Sequence, residues 1–197
     1  GQMAEVGFSL YTELLERAVR SIKAGHLPDV DLGQERRGAE VELNVPALIP
    51  DDYLPDVHTR LTLYKRISSA PDREDLRDLQ VEMIDRFGDL PQPTKNLIRL
   101  IEIKHQAIAA NIAKIDVGAR GTLVTFHQDD FPDPAGLIAY VARLNEGGKD
   151  TAKLRPDMKL VINRAWGDPQ SRLNGLFQLT KGLSGIVRKA ARAKKAA

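Results

Sequence analysis

Residues 72–88 carry the pattern that most constrains the fold, because a helix separates their charged and apolar side chains onto two faces. At about 100° per residue, one face collects the apolar side chains of Leu76, Leu79, Met83 and Phe87, with Ile84 at its edge. The opposite face collects the carboxylates of Glu74, Asp78, Glu82 and Asp85, with Asp75 close by. Asp72 is placed to cap the amino end, and Gly88 to end the helix. The stretch therefore predicts a helix anchored on one side and acidic on the other.

Two interpretations of this acidic side remain open from the pattern alone. A run of charges usually marks no more than a solvated helix face, and the pattern by itself favours that interpretation. The alternative is a docking surface for a basic partner.

Composition narrows the class of protein. The chain has 197 residues, 42% of them hydrophobic, which is enough for a real core. With no cysteine, it has no disulfide, thiol nucleophile or thiolate metal site. No apolar run is long enough to span a bilayer, and the amino end has no signal-peptide pattern, so we expect a cytoplasmic protein.

The basic charge is concentrated at the carboxyl end. The formal net charge is +2, and five positive charges without an acid lie in the last ten residues, which leaves −3 for the rest of the chain (+2 less five). These cations are Arg188, Lys189, Arg192, Lys194 and Lys195. They favour a second interpretation of function, an accessory DNA-binding module acting through the basic tail.

Composition shifts divide the chain into three parts. Residues 1–25 predict an amphipathic helix, centred on residues 6–24 and ended by Gly25. Residues 26–38 are polar and aperiodic, as in a linker. Residues 39–197 then form one domain.

Within that domain, helical periodicity comes first and strand-like alternation follows. Val41, Leu43 and Val45 alternate as in a strand, Asp56 is placed to cap a helix to Ser69, and Thr94 to cap one through Ala110. The inward side of that longer helix is predicted to carry Leu97, Ile98, Ile101, His105 and Ile108.

Two hairpins are predicted, at residues 112–126 and 152–162, separated by a helix that starts at Asp133-Pro134 and ends near Leu144. A last helix begins near Pro169 and enters the tail, weakened by Gly182 and Gly185. The fold class is therefore α+β: helices with short antiparallel strands or hairpins, in a single compact domain preceded by a linker helix.

Candidate catalytic motifs are weak, and we predict no catalytic, cofactor-binding or metal-binding residue in this fragment. Residues 118–121 have glycines but no following Lys-Ser/Thr, and they join two strands, so a hairpin turn is favoured over a phosphate loop. Asp51 and Asp52 are favoured as loop acids, and residues 127–130 match no known cation-binding loop.

Three long stretches carry a family resemblance. Residues 7–19 (GFSLYTELLERAV), 41–70 (VELNVPALIPDDYLPDVHTRLTLYKRISSA) and 79–97 (LQVEMIDRFGDLPQPTKNL) closely resemble the carboxy-terminal part of the bacterial transcription-repair coupling factors, the Mfd family. The resemblance is firm to about Ile112 and thins beyond it.

The resemblance implies a specific function. Members of the family are ATP-driven DNA translocases that remove stalled RNA polymerase and recruit the repair protein UvrA. The resemblance implies that ATP, Mg and DNA are bound by the motor of the parent protein rather than by this domain. The motifs of that motor are absent here, so the fragment is not expected to be an enzyme.

In the family the last (TRCF) domain is autoinhibitory. It docks on an amino-terminal UvrB-like module of the same chain and masks the UvrA-binding surface. The resemblance implies that Glu82 and Asp85 contact arginines of that module, and we add Asp78, one turn earlier, as a further partner-binding residue.

Overall fold

A computed structural model describes residues 39–118, 120–149, 151–164 and 166–196. The predicted amino-terminal helix and linker, and with them the domain boundary after residue 38, lie outside the described residues. Within these residues the chain forms five α-helices and a five-stranded mixed sheet, which confirms the predicted α+β class.

The helices are α1 (Val57–Ser69), α2 (Arg73–Phe87), α3 (Gln92–Ala109), α4 (Pro134–Leu144) and α5 (Pro169–Ala196). The strands are β1 (Glu40–Glu42), β2 (Ile112–Val117), β3 (Thr122–Phe126), β4 (Ala152–Leu154) and β5 (Leu160–Ile162). Both predicted hairpins are therefore confirmed, as are the caps at Asp56 and Asp133.

The described residues fall into two compact units. One is Asn44–Glu102, with α1, α2 and most of α3. The other combines β1 with the residues from Ile103 onwards.

In the first unit, a proline-broken segment is tied down by side chains. The buried Tyr64 hydroxyl accepts a hydrogen bond from Ile49 N–H at 2.7 Å. Asn96 Nδ2 donates to Pro46 O at 2.9 Å, and Thr94 Oγ1 donates to Leu48 O at 3.0 Å. Prolines remove regular hydrogen bonding here, so these side chains take its place.

The hydrogen bond from Thr94 to Leu48 O corrects one prediction. Thr94 does not cap α3, because the helix already begins at Gln92 and the Thr94 hydroxyl is engaged with Leu48. The amide of Thr94 bonds instead to Pro91 O at 3.0 Å. The prediction that Ile108 faces inwards was also wrong, since its side chain is 44% exposed.

In the second unit, the strand order is β1-β2-β3-β5-β4. The pairs β2–β3, β3–β5 and β5–β4 are antiparallel, but β1 pairs parallel to β2, with Glu40 opposite Lys114. The predicted strands were expected to be antiparallel, and β1 departs from this. A parallel pair needs a long connection, which here is the whole first unit.

The start of the outer strand β4 is hydrogen-bonded by one side chain. Asn145 Oδ1 accepts from Thr151 N–H and Ala152 N–H, both at 2.8 Å, and its Nδ2 donates to Ala152 O at 2.8 Å. A single amide thus occupies the polar backbone groups at the start of this edge strand.

The long helix α5 remains continuous through Gly182 and Gly185, which the sequence predicted to weaken it. Two glycines of α5 leave room for aromatic rings: a Cβ on Gly175 would lie 2.3 Å from Trp166, and one on Gly182 would lie 2.8 Å from Tyr140. These glycines therefore serve close packing rather than helix termination. In the described part of the chain, none of the helices has the length and apolar character that crossing a membrane requires.

Candidate docking surface on the acidic helix

The ends of α2 are fixed by the residues that the sequence indicated. Asp72 Oδ1 accepts a hydrogen bond from Asp75 N–H at 2.9 Å, which confirms the predicted cap. Gly88 has a φ of 91°, a value that suits glycine, and its carbonyl accepts from the Tyr53 hydroxyl at 2.9 Å. The helix is held at both termini.

The inner face of α2 is packed as predicted. Leu76, Leu79 and Met83 are buried, at 5% exposure or less. Phe87 is half-buried, and its ring meets that of Tyr53 edge-on, with centroids 6.2 Å apart. The apolar face anchors α2, so the opposite side keeps a fixed orientation.

The outer face displays carboxylates. Glu74, Asp78 and Asp85 are exposed, and among the described residues none of the three forms a salt bridge or a side-chain hydrogen bond. Their spacing places all three on the same side of α2, so their negative charges reinforce one another along that side.

One apolar residue among these acids escaped the sequence interpretation. Val81 is 55% exposed and lies three residues after Asp78 and four before Asp85. Its position could have been found, because at 100° per residue it falls about 20° from Glu74. We call the surface of Glu74, Asp78, Val81, Glu82 and Asp85 the acidic face.

Glu82 differs from its neighbours because it is paired within the domain. Arg66 of α1 donates two hydrogen bonds to its carboxylate, from Nη1 to Oε2 and from Nη2 to Oε1, the latter at 3.1 Å. Arg86, one turn along α2, approaches Oε2 at 3.5 Å. The hydrogen bond from Arg66 holds the pKa of Glu82 below its ordinary value, and the positive charges of Arg66 and Arg86 act in the same direction.

Arg86 also covers the end of the helix. Its guanidinium carbon lies 4.7 Å from the centroid of the Phe87 ring. Arg66 and Arg86 thus place two positive charges around Glu82, beside the exposed carboxylates of the acidic face. Sequence inspection did not find this pair of arginines, since Arg66 belongs to another helix.

The structure thus brings Asp78, Glu82 and Asp85 onto one surface but in different states. Asp78 and Asp85 are open to an external cation, whereas Glu82 is not a free carboxylate. Their partner-binding role stays a prediction. The arrangement can attract cations and bury one small apolar side chain, and it offers no paired acid and base for proton transfer.

The other positions that the sequence analysis considered for chemistry do not form a functional site among the described residues. Asp51 and Asp52 border a shallow depression with Arg60, whose Nη1 donates to Leu54 O at 2.6 Å and so holds the loop. Gly118 N–H donates to Gly121 O at 2.8 Å, as expected of the hairpin turn. The described residues contain no group of three or more His, Asp or Glu placed to hold a metal ion.

Fold and surface together define the class, an α+β domain that displays a fixed acidic helix. The model of the family described as "TRCF domain" matches residues 43–137, which include the whole acidic face. The chain carries a TRCF domain and belongs to this family.

Three similar proteins are all described as transcription-repair-coupling factors. The one from Escherichia coli K12 is 43% identical over 144 residues, covering 73% of this chain and 12% of that protein. The one from Haemophilus influenzae is 47% identical over 144 residues, with 73% and 12% covered. The one from Myxococcus xanthus is 36% identical over 170 residues, with 85% and 13% covered. The chain spans about an eighth of the length of these relatives.

A solved structure agrees on the fold. The crystal structure of the C-terminal domain of a transcription-repair coupling factor superimposes with a TM-score of 0.64, covering 79% of this chain and 99% of that one. At 22% identity, this likeness supports the fold alone.

Proposed function

We propose that this chain is a non-catalytic, autoinhibitory domain that docks through its acidic face onto the amino-terminal UvrB-like module of its parent protein. Docking would mask the UvrA-binding surface. The parent would be a cytoplasmic ATP-dependent DNA translocase that removes stalled RNA polymerase in transcription-coupled nucleotide-excision repair. ATP and Mg would serve the motor of the parent, and this domain would need no cofactor.

One observation carries the proposal. Asp78 and Asp85 are exposed and unpaired among the described residues, they flank the exposed Val81, and the helix that bears them is packed on its other side. An apolar contact flanked by charges is a common arrangement in protein interfaces, where charges select the partner and apolar burial holds it. A basic surface with a small apolar residue fits this description.

Because Glu82 is paired within the domain, Asp78, Glu82 and Asp85 would contribute unequally to docking. Arg66 and Arg86 already compensate the charge of Glu82 and would repel an incoming arginine on that side. Asp78 and Asp85 would therefore attract the partner first. Glu82 could engage a partner cation only by exchanging one of its own arginines, so its net contribution would be smaller.

The energies required are modest. Exposed ion pairs contribute about 0–1 kcal/mol each. A clamp that stays closed about 100 times more often than open needs roughly 2.7 kcal/mol. Because both modules would lie on one parent chain, their effective concentration is high, and two ion pairs with one apolar contact could hold the closed state reversibly.

A binding experiment tests the docking. The 197-residue chain is titrated by calorimetry into the separately produced amino-terminal UvrB-like module. Asp78→Lys with Asp85→Lys should weaken binding at least tenfold, since two attractions become repulsions. The matched control is Asp51→Lys with Asp52→Lys, which makes the same charge change on exposed loop residues of the same unit and should bind normally.

The same variants test the masking. In the parent protein, the Asp78/Asp85 double variant should bind UvrA more tightly and hydrolyse ATP faster, and the control should not. Unchanged docking in the double variant would overturn the acidic face as the docking site. Weakened docking with unchanged UvrA affinity would overturn the masking alone.

The non-catalytic part of the proposal has its own test. The isolated chain should release no phosphate from ATP, with or without duplex DNA, under conditions in which the parent protein is active. Phosphate release that persists through repeated purification would contradict it.

A further inference from the structure

Helices α4 and α5 carry positive charge without any acid. Neither helix contains Asp or Glu. Together they hold eight cations: Arg143, Arg172, Lys181, Arg188, Lys189, Arg192, Lys194 and Lys195. The rest of the chain mixes both signs, so this segregation marks the second unit as the basic part of the molecule.

Most of the α5 cations share one side of the helix. At 100° per residue, a single arc of about 120° contains Lys181, Arg188, Lys189, Arg192 and Lys195. All five are exposed, whereas Leu176 and Leu183, on the other side, are completely buried. The fifteen residues from Lys181 to Lys195 span about 21 Å, because each of the fourteen steps between them rises about 1.5 Å. We call this surface the basic stripe.

Helix α4 adds to the stripe along its border. The ring of Tyr140 packs against Gly182, which lies about 100° from Lys181 around α5. Arg143 sits over the same ring, 5.8 Å from its centroid. Burial raises the pKa of Tyr140, and the positive charges of Arg143 and Arg164 oppose this rise.

These cations have no carboxylate partner within the part of the chain that the structure describes. Among the described residues, no member of the basic stripe forms a salt bridge with a carboxylate, and neither does Arg143 or Arg164. The only side-chain partner of Arg188 among them is Ser184 Oγ, at 3.4 Å. A surface of positive charges that are not compensated by nearby carboxylates favours the binding of an external anion.

We propose that the basic stripe, bordered by Arg143, binds the phosphate backbone of duplex DNA independently of its sequence. A strand carries one phosphate per about 3.4 Å, so a stripe about 21 Å long matches about six phosphates. The stripe has no exposed large aromatic residue that would stack on bases, so the backbone of a duplex suits it better than an unpaired strand.

A membrane surface suits the stripe less well. The exposed residues between the cations beyond Arg188 are alanines, which cannot anchor a helix in lipid. Ile138 of α4 is 60% exposed, but it lies about 200° around that helix from Tyr140 and so points away from the stripe.

The test measures the affinity of the 197-residue chain for a fluorescein-labelled 20-base-pair duplex by anisotropy, over a series of salt concentrations. Arg188→Ala with Arg192→Ala should weaken binding several-fold and make the slope of log affinity against log salt shallower by about 2. The matched control, Arg77→Ala with Lys95→Ala, removes two exposed cations of the first unit and should change neither quantity.

A variant that adds a positive charge excludes misfolding as the explanation for weaker DNA binding in the alanine variant. Gly185 lies within the arc of the stripe, and a Cβ there meets nothing within 4 Å. Gly185→Lys should therefore bind the duplex more tightly, with a steeper salt slope. Equal loss in the stripe variant and the control, or no gain from Gly185→Lys, would overturn the proposal. Equal binding to poly-L-glutamate of matched charge would also overturn it, in favour of an acidic protein partner.

Discussion

Arg66 of α1 binds both carboxylate oxygens of Glu82 on α2, sixteen residues further along the chain. The pair joins the two helices on their solvent side, while Ile67 and Met83 are buried beneath. Glu82 is therefore part of the structure of the domain, besides being a candidate for partner binding. This dual position shapes the predictions for the acidic face.

The first prediction concerns the charge state of Glu82. Arg66→Ala removes the hydrogen bond that lowers the pKa of this carboxyl, so the pKa should rise towards its ordinary value of 4.5. A carbon-detected NMR titration of the Glu82 side chain measures the change. Arg77→Ala, another exposed arginine, is the control. An unaltered titration midpoint in the Arg66 variant would show that the pair does not form in solution.

The second prediction is a pH dependence of stability. Because the folded-state pKa of Glu82 lies below 4.5, its ion pair stabilises the fold fully above pH 4.5 and loses this contribution as the pH falls through the lowered pKa. Glu82→Gln should therefore be less stable than the parent chain at pH 7 and approach it in acid. Urea unfolding at pH 7 and at successively lower pH values below 4.5 measures the change. A difference between the two chains that stays constant over this series would contradict the linkage.

The third prediction separates docking from folding on α2. Val81→Ala should weaken docking to the UvrB-like module but change the free energy of unfolding by no more than about 0.5 kcal/mol, because the side chain is mostly in water. Met83→Ala, on the buried face, should cost about 2–5 kcal/mol. Calorimetric titration and urea unfolding of both variants give the comparison. Normal docking by the Val81 variant would remove Val81 from the interface.

The fourth prediction uses two glycines of α5 as a matched pair. Gly185→Ala should stabilise the chain by about 0.5–1 kcal/mol, since the site is helical and open. Gly182→Ala should destabilise it by about 1–3 kcal/mol, because the new methyl group would lie 2.8 Å from the Tyr140 ring. Thermal unfolding of the two variants should move in opposite directions, and equal shifts would mean that Tyr140 does not pack there.

Local signals in the sequence predicted local structure well. Helix α2 begins after Asp72 and ends before Gly88, as the capping pattern indicated, and β2 and β3 have the predicted bounds. Caps and alternation depend on neighbouring residues, so they can be read from a short window. Thr94 shows the limit of such a rule, because its hydroxyl bonds to Leu48, 46 residues earlier.

Features that depend on distant residues were not predicted. The parallel pairing of β1 with β2 joins two segments that precede and follow the first unit in the sequence. The alternation within β1 does not indicate which strand it pairs with. Arg66 likewise lies outside the helical projection that identified the acidic face. Val81 was not predicted for another reason, since the projection contains it but the carboxylates around it dominate the pattern on that face.

The side chain of Asn145 occupies the backbone groups at the start of β4, an edge strand of the sheet. An uncovered strand end of this kind would be a template on which a second molecule could add its own strand and begin a fibre. With the N–H and C=O of Ala152 already bonded to Asn145, a strand from a second molecule could not pair with this residue. One amide side chain thereby shortens the part of β4 that is open to such pairing.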